Sequence, residues 1–117
     1  MADVLVLIDD LFFQAKLTET ARQVGVALQM VGTGDALLAA VAANPPHLVV
    51  VDLNARGGAL EALERLHAAG NPLPVIAFLS HVQVELAERA RAAGCQQVLP
   101  RSKFTAELAT ILRQAKL

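Results

Sequence analysis

Two adjacent carboxylates, Asp9 and Asp10, close the apolar run VLVLI and are followed at once by Leu11, Phe12 and Phe13. A third acid, Asp52, closes the run HLVVV; a hydroxyl, Ser80, follows PVIAFL; a guanidinium, Arg101, follows QVLP. Each has an ordinary structural use. Acids after a strand commonly cap the next helix, where a carboxylate accepts backbone N–H bonds and favours the positive helix end. Ser80-His81-Val82-Gln83 fits a capping box, serine with glutamine three residues later, and Arg101 can simply neutralise neighbouring acids. Brought to one place, however, three carboxylates repel one another. The physical remedy is a hard divalent cation with oxygen ligands, Mg²⁺ being the common choice.

Whether they meet depends on the elements that carry them. The 117 residues suffice for one domain with its own core. The 55% hydrophobic content lies in short blocks, none near the roughly 20 apolar residues of a membrane helix. Lys plus Arg (10) nearly balance Asp plus Glu (11) with no basic run, which argues against nucleic acid or a membrane surface as partner. The single Cys95 excludes an internal disulfide and, with three scattered histidines, offers no zinc spacing. The N-terminus lacks the charge pattern of a secretory signal. A cytoplasmic location is expected.

Short apolar or β-branched runs recur along the chain: VLVLI (4–8), VALQMV (26–31), HLVVV (47–51), PVIAFL (74–79) and QVLP (97–100). Segments with helical spacing separate them. Phe13, Leu17, Ala21 and Val24 share a face of the first; Leu37, Ala40 and Val41 of the second; Leu60 and Leu63 of the third. Leu86, Ala90 and Ala93 serve the fourth, and Phe104, Leu108, Ile111 and Ala115 the fifth. Gly25, Gly70 and Gly94 punctuate helix ends, and Pro45 and Pro46 block the second helix.

Strands alternating with helices imply an α/β fold, a parallel five-stranded sheet covered by helices on both faces. HLVVV, apolar on both faces, suits a central strand. The leading topology is a single (βα)5 flavodoxin-like fold in strand order 2-1-3-4-5, which binds ligands at the carboxyl ends of its strands. Asp9, Asp10, Asp52, Ser80 and Arg101 all follow strands, so this topology gathers them at one sheet edge.

With these motifs in place, the sequence resembles the receiver domain of bacterial response regulators over essentially its whole length, residues 1–117. The resemblance rests on the acid pair Asp9-Asp10, the aspartate of VVVDLN at Asp52, the hydroxyl of AFLS at Ser80 and the basic position near the fifth strand. It implies a phosphoacceptor role for Asp52 and a Mg²⁺ site formed by Asp10, Asp52 and the backbone carbonyl of Asn54, with Asp9 acting through water. It further implies a histidine kinase or phosphotransfer protein upstream and a protein target downstream, reached through charged residues such as Glu85, Glu88, Arg89 and Arg91 of the fourth helix. As the chain ends after the fifth helix, no output domain is expected.

Several positions depart from that pattern. The fifth-strand lysine becomes Arg101, with Ser102 and Lys103 close by, and a planar fork is not a mobile ammonium. Val98 stands where an aromatic residue is usual, and His81 where a small one is. The loop after Asp52 reads Asn54-Ala55-Arg56-Gly57-Gly58, lacking the family's Met-Pro pair but flexible at its glycines, and Phe12 puts an apolar ring near the pocket mouth, as a half-buried helix residue or a hydrophobic lid or docking knob. Two functions therefore stay open: a stand-alone receiver phosphorylated at Asp52, and a pseudo-receiver acting as a phosphorylation-independent interaction module. A flavin-binding reading fits less well, because two repelling acids occupy the place of its phosphate loop.

Overall fold

The structure, a computed structural model, describes residues 2–80 and 83–116. His81 and Val82, the middle residues of the Ser80–Gln83 pattern, lie outside the described residues. The strands are β1 (Val4–Leu7), β2 (Leu28–Val31), β3 (Leu48–Asp52), β4 (Val75–Leu79) and β5 (Gln97–Pro100). The helices are α1 (Leu11–Val24), α2 (Gly34–Ala43), α3 (Ala59–Ala68), α4 (Val84–Ala92), α5 (Arg101–Ala106) and α6 (Leu108–Gln114). The sheet runs β2-β1-β3-β4-β5 and every pairing is parallel, as the sequence implied.

Alternation along the strands divides the interior in two, because successive side chains leave a strand on opposite faces. Val4, Val6, Val50, Ile76 and Phe78 pack under α1, α5 and α6; Leu5, Leu7, Val49, Val51, Ala77 and Leu79 pack under α2, α3 and α4. All five residues of β3 are buried, which explains why HLVVV shows no polar alternation. In the first core, Phe78 and Phe104 stack at 4.4 Å between ring centroids, and Phe13 meets them edge-on at 5.4 and 6.0 Å.

Three local expectations change. The fifth helix opens at Glu107 (φ −103°, ψ 9°) into α5 and α6, although Phe104, Leu108, Ile111 and Ala115 still share the buried face. The second strand starts at Leu28 rather than at residue 26, with Ala27 fastened to the Asp3 carboxylate. The fourth helix starts at Val84 with Gln83, not Ser80, as its N-cap, and no side-chain cap bond is made among the described residues. The Ser80 amide and hydroxyl donate to Asn54 Oδ1.

One close approach holds the loop that leaves β3. The Gly34 amide donates to Gly57 O at 2.8 Å, and a Cβ at Gly34 would lie 2.4 Å from Gly58 O and 3.0 Å from Ala62 Cβ. Alanine should gain helix propensity there yet force the backbone apart, and the overpacking is the larger effect. Gly34→Ala is expected to lose about 1 kcal/mol net in urea unfolding. Unchanged or raised stability would show that the loop yields freely.

Candidate functional site: an acidic pocket closed by an arginine

Parallel pairing puts Asp52 of β3 beside Phe78 of β4, and the residues that follow β1 and β5 bring Asp10 and Arg101 to the same edge. Asp52 is only 3% exposed. Its Oδ1 accepts from the Asn54 amide at 2.9 Å, and its Oδ2 lies 3.5 Å from Arg101 Nη2. Burial pushes the Asp52 carboxyl above its ordinary range, against the lowering by the Asn54 N–H and Arg101; the charges of Asp9 and Asp10 add to the rise.

Asp10 does two jobs. As N-cap of α1 its Oδ1 accepts from the amides of Phe12 and Phe13 at 3.0 and 3.2 Å, while its Oδ2 accepts from Arg101 Nη1 at 3.1 Å. The backbone N–H of Phe13 and then Arg101 hold its carboxyl below the usual range. Capping and site geometry are therefore not alternatives here. Asp9 turns aside: its Oδ2 accepts from the Arg56 amide at 2.9 Å, which ties the first acidic turn to the loop after β3.

Arg101 opens α5 rather than ending β5. Its guanidinium carbon sits 4.7 Å from the Phe13 ring centroid and 5.7 Å from that of Phe78, so the aromatic core forms a platform beneath the cation. Its Nε is buried and makes no hydrogen bond among the described residues. Of the alternatives Arg101, Ser102 and Lys103, Arg101 is the one within ion-pairing reach of Asp10 and Asp52.

Asn54 was expected to matter through its carbonyl, yet its side chain is also engaged. Oδ1 accepts from the Ser80 amide at 2.6 Å and the Ser80 hydroxyl at 3.0 Å, and Nδ2 donates to Gln83 Oε1 at 2.7 Å. One amide thereby connects the ends of β3 and β4 to the first residue before α4. Sequence reasoning missed Phe13 and Phe78 as the cation's platform, because their spacing signalled only a core face, and missed Gln83 because it was assigned to the capping box.

Further out, Val98 lines a groove of about 190 Å³ with Leu79, Val84, Ala87 and Pro100. Phe12 is 92% exposed, so it is not a half-buried helix residue. On α4, Arg89 pairs with Glu64 of α3 at 3.2 Å, which draws one charge of the expected partner face toward its neighbouring helix.

The oxygen set expected for Mg²⁺ lies at one edge, but as arranged it does not fit a divalent ion. Asp10 Oδ2 and Asp52 Oδ2 both face the Arg101 fork, and among the described residues no three acidic, histidine or cysteine groups gather closely enough to hold a metal.

No family model matches the chain, and no curated protein matches it. Solved structures do. The receiver domain of NtrX from Brucella abortus superposes with a TM-score of 0.81 at 22% identity, covering 97% of each chain. The phosphorylated cyanobacterial phytochrome response regulator RcpA gives 0.80 at 16% identity over 97% of this chain and 89% of that one. A CheY-like receiver domain protein from Methanospirillum hungatei gives 0.79 at 15% identity over 97% and 94%. The chain has the receiver fold of response regulators. No helix among the described residues is long and apolar enough to cross a membrane.

Proposed function

We propose that the chain is a receiver-type module of two-component signalling in which Asp52 accepts a phosphoryl group. The observation that carries this reading is the buried Asp52 carboxylate at a strand end with the Arg101 cation 3.5 Å away. An Asp52 oxygen attacks the phosphorus of a phosphohistidine on an upstream kinase or phosphotransfer protein, or of a small acyl phosphate. A new P–O bond forms as the bond to imidazole or to the acyl oxygen breaks, and the leaving group departs with that electron pair. The transition state is loose and its charge spread, so the protein contributes position and positive charge. Arg101 supplies the charge, and the Phe13–Phe78 platform supplies the position. Ser80 and Asn54 then offer a route outward: a hydroxyl that turns to the phosphoryl group leaves the Asn54 amide, which also holds Gln83 before α4. This is a local charge event biasing a two-state element. The downstream reader is a protein target.

A second reading, the phosphorylation-independent interaction module, is favoured by the double pairing of Arg101 with Asp10 and Asp52, which gives both carboxylates a cationic partner without a ligand, and by the exposed apolar side chains of Leu11, Phe12 and Val84. Intact mass after incubation with acetyl phosphate, with and without Mg²⁺, separates the two. One phosphoryl increment is expected on the parent and none on Asp52→Asn. An unlabelled, folded parent under both conditions would leave the interaction module standing.

A further inference from the structure

We propose that Arg101 is the resident cation of the Asp10–Asp52 pocket and that it and a divalent metal exclude one another there. The inference stands apart from the phosphoryl-transfer reading, since it concerns which cation the carboxylates hold and not what Asp52 reacts with. Nη1 lies 3.1 Å from Asp10 Oδ2 and Nη2 lies 3.5 Å from Asp52 Oδ2. The two prongs of one rigid fork thus reach two different carboxylates, which a lysine ammonium, as a single point charge, does with less directional fit. A magnesium ion bridging those oxygens would meet the guanidinium, because Mg²⁺ requires near-octahedral ligands at about 2.1 Å.

Three features hold the arginine in place. Its backbone begins α5 directly after Pro100, which is registered against Leu79 in the sheet. Its guanidinium rests near Phe13 and Phe78. Asp10, its nearest partner, is itself fixed by capping α1. One feature works against it: the buried Nε makes no hydrogen bond among the described residues, and an unmade bond at a buried donor weakens the arrangement. The guanidinium is therefore held but not locked. Strong divalent binding requires it to leave, and its departure exposes Asp10 and Asp52 together.

The experiment is calorimetric titration of MgCl2 into the parent, Arg101→Gln, Arg101→Lys and Arg101→Gln/Asp10→Asn proteins at constant ionic strength, with far-UV circular dichroism to establish that each is folded. Losing one charge-assisted contact corresponds to about a tenfold change in affinity. Arg101→Gln is therefore expected to bind Mg²⁺ about tenfold more tightly than the parent, or more. Arg101→Lys should fall between them, and the added Asp10→Asn change should remove the gain. A parent that binds Mg²⁺ as tightly as Arg101→Gln overturns the proposal, and so does a gain that survives Asp10→Asn. Should Arg101→Gln not fold, Arg101→Lys alone decides: affinity no higher than the parent's counts against exclusion. Acetyl phosphate labelling plays no part in this readout, so its failure and that of the metal test are distinguishable.

Discussion

Phe78→Ala is expected to produce the largest loss of stability of any change considered for this protein, about 3–5 kcal/mol. Phe78 is fully buried in β4, stacks on Phe104 and meets Phe13 edge-on. Truncation leaves a cavity lined by two rings that cannot both collapse into it, and aromatic pairing is lost along with burial. The effect should reach the site, because the same ring lies 5.7 Å from the Arg101 guanidinium and pairs in register with Asp52. Phe104→Ala provides the comparison: it empties the same core from the other side of the stack. If Phe78 supports the arginine as well as the core, Phe78→Ala should increase Mg²⁺ affinity in the folded protein while Phe104→Ala changes it less. Urea unfolding monitored by far-UV circular dichroism measures the stability term, since the chain has no Trp or Tyr to report by fluorescence. A loss below about 1 kcal/mol would mean that the aromatic cluster repacks and is not the rigid base described here.

The fold was legible because its signals were redundant. Five short apolar runs, helical spacing between them and glycines at helix ends all pointed to the same alternation, and consistency of that kind outweighs any one propensity. Asp9, Asp10, Asp52, Ser80 and Arg101 were placed at one edge by topology alone. What the sequence did not reveal was how each side chain is used once there. Ser80 with Gln83 reads as a capping box, but Asn54 reaches both, and a local pattern cannot register a competitor contributed by the neighbouring strand. Phe13 has the spacing of a core residue and is one, yet its ring also borders the cation. The resemblance gave Asp9 and Asp10 different roles, but the contacts that separate them were hidden: Asp10 caps α1 and meets Arg101, while the loop after β3 draws Asp9 aside through the Arg56 amide. The break at Glu107 leaves the buried periodicity intact, so the hydrophobic pattern contained no trace of it.

Replacing the Asp52 carboxylate should stabilise the molecule. Asp52 is buried, and burial is the main reason its carboxyl titrates above the ordinary range. The sign follows from proton linkage. A native state that holds its proton more tightly than the unfolded chain loses stability as pH rises from the unfolded value through the raised one, and carries the penalty above it. An uncharged isostere is free of that penalty, so Asp52→Asn is expected to be more stable than the parent at pH 7, within the range of about 0.5–2 kcal/mol usual for one stabilising change. Loss of the Arg101 Nη2 partner trims the gain but does not reverse it, because Nη1 keeps Asp10. Well below the unfolded carboxyl's ordinary value of about 3.9 the parent carboxyl is protonated in both states and this pH-dependent advantage should vanish. Asp3 and Asp10 behave oppositely: backbone N–H groups of Ala27 and Phe13 hold their carboxyls low, so their contributions are lost as pH falls through those lowered values. Both proteins share that acid loss, and the difference between their unfolding curves isolates Asp52. Urea unfolding of the pair at pH 7 and at the lowest pH where both fold is the measurement. An Asp52→Asn protein less stable than the parent at pH 7 would mean that the Arg101–Asp52 pair is worth more than the burial of its charge costs. The pocket would then be a structural ion pair, which favours the interaction module over the phosphoacceptor reading.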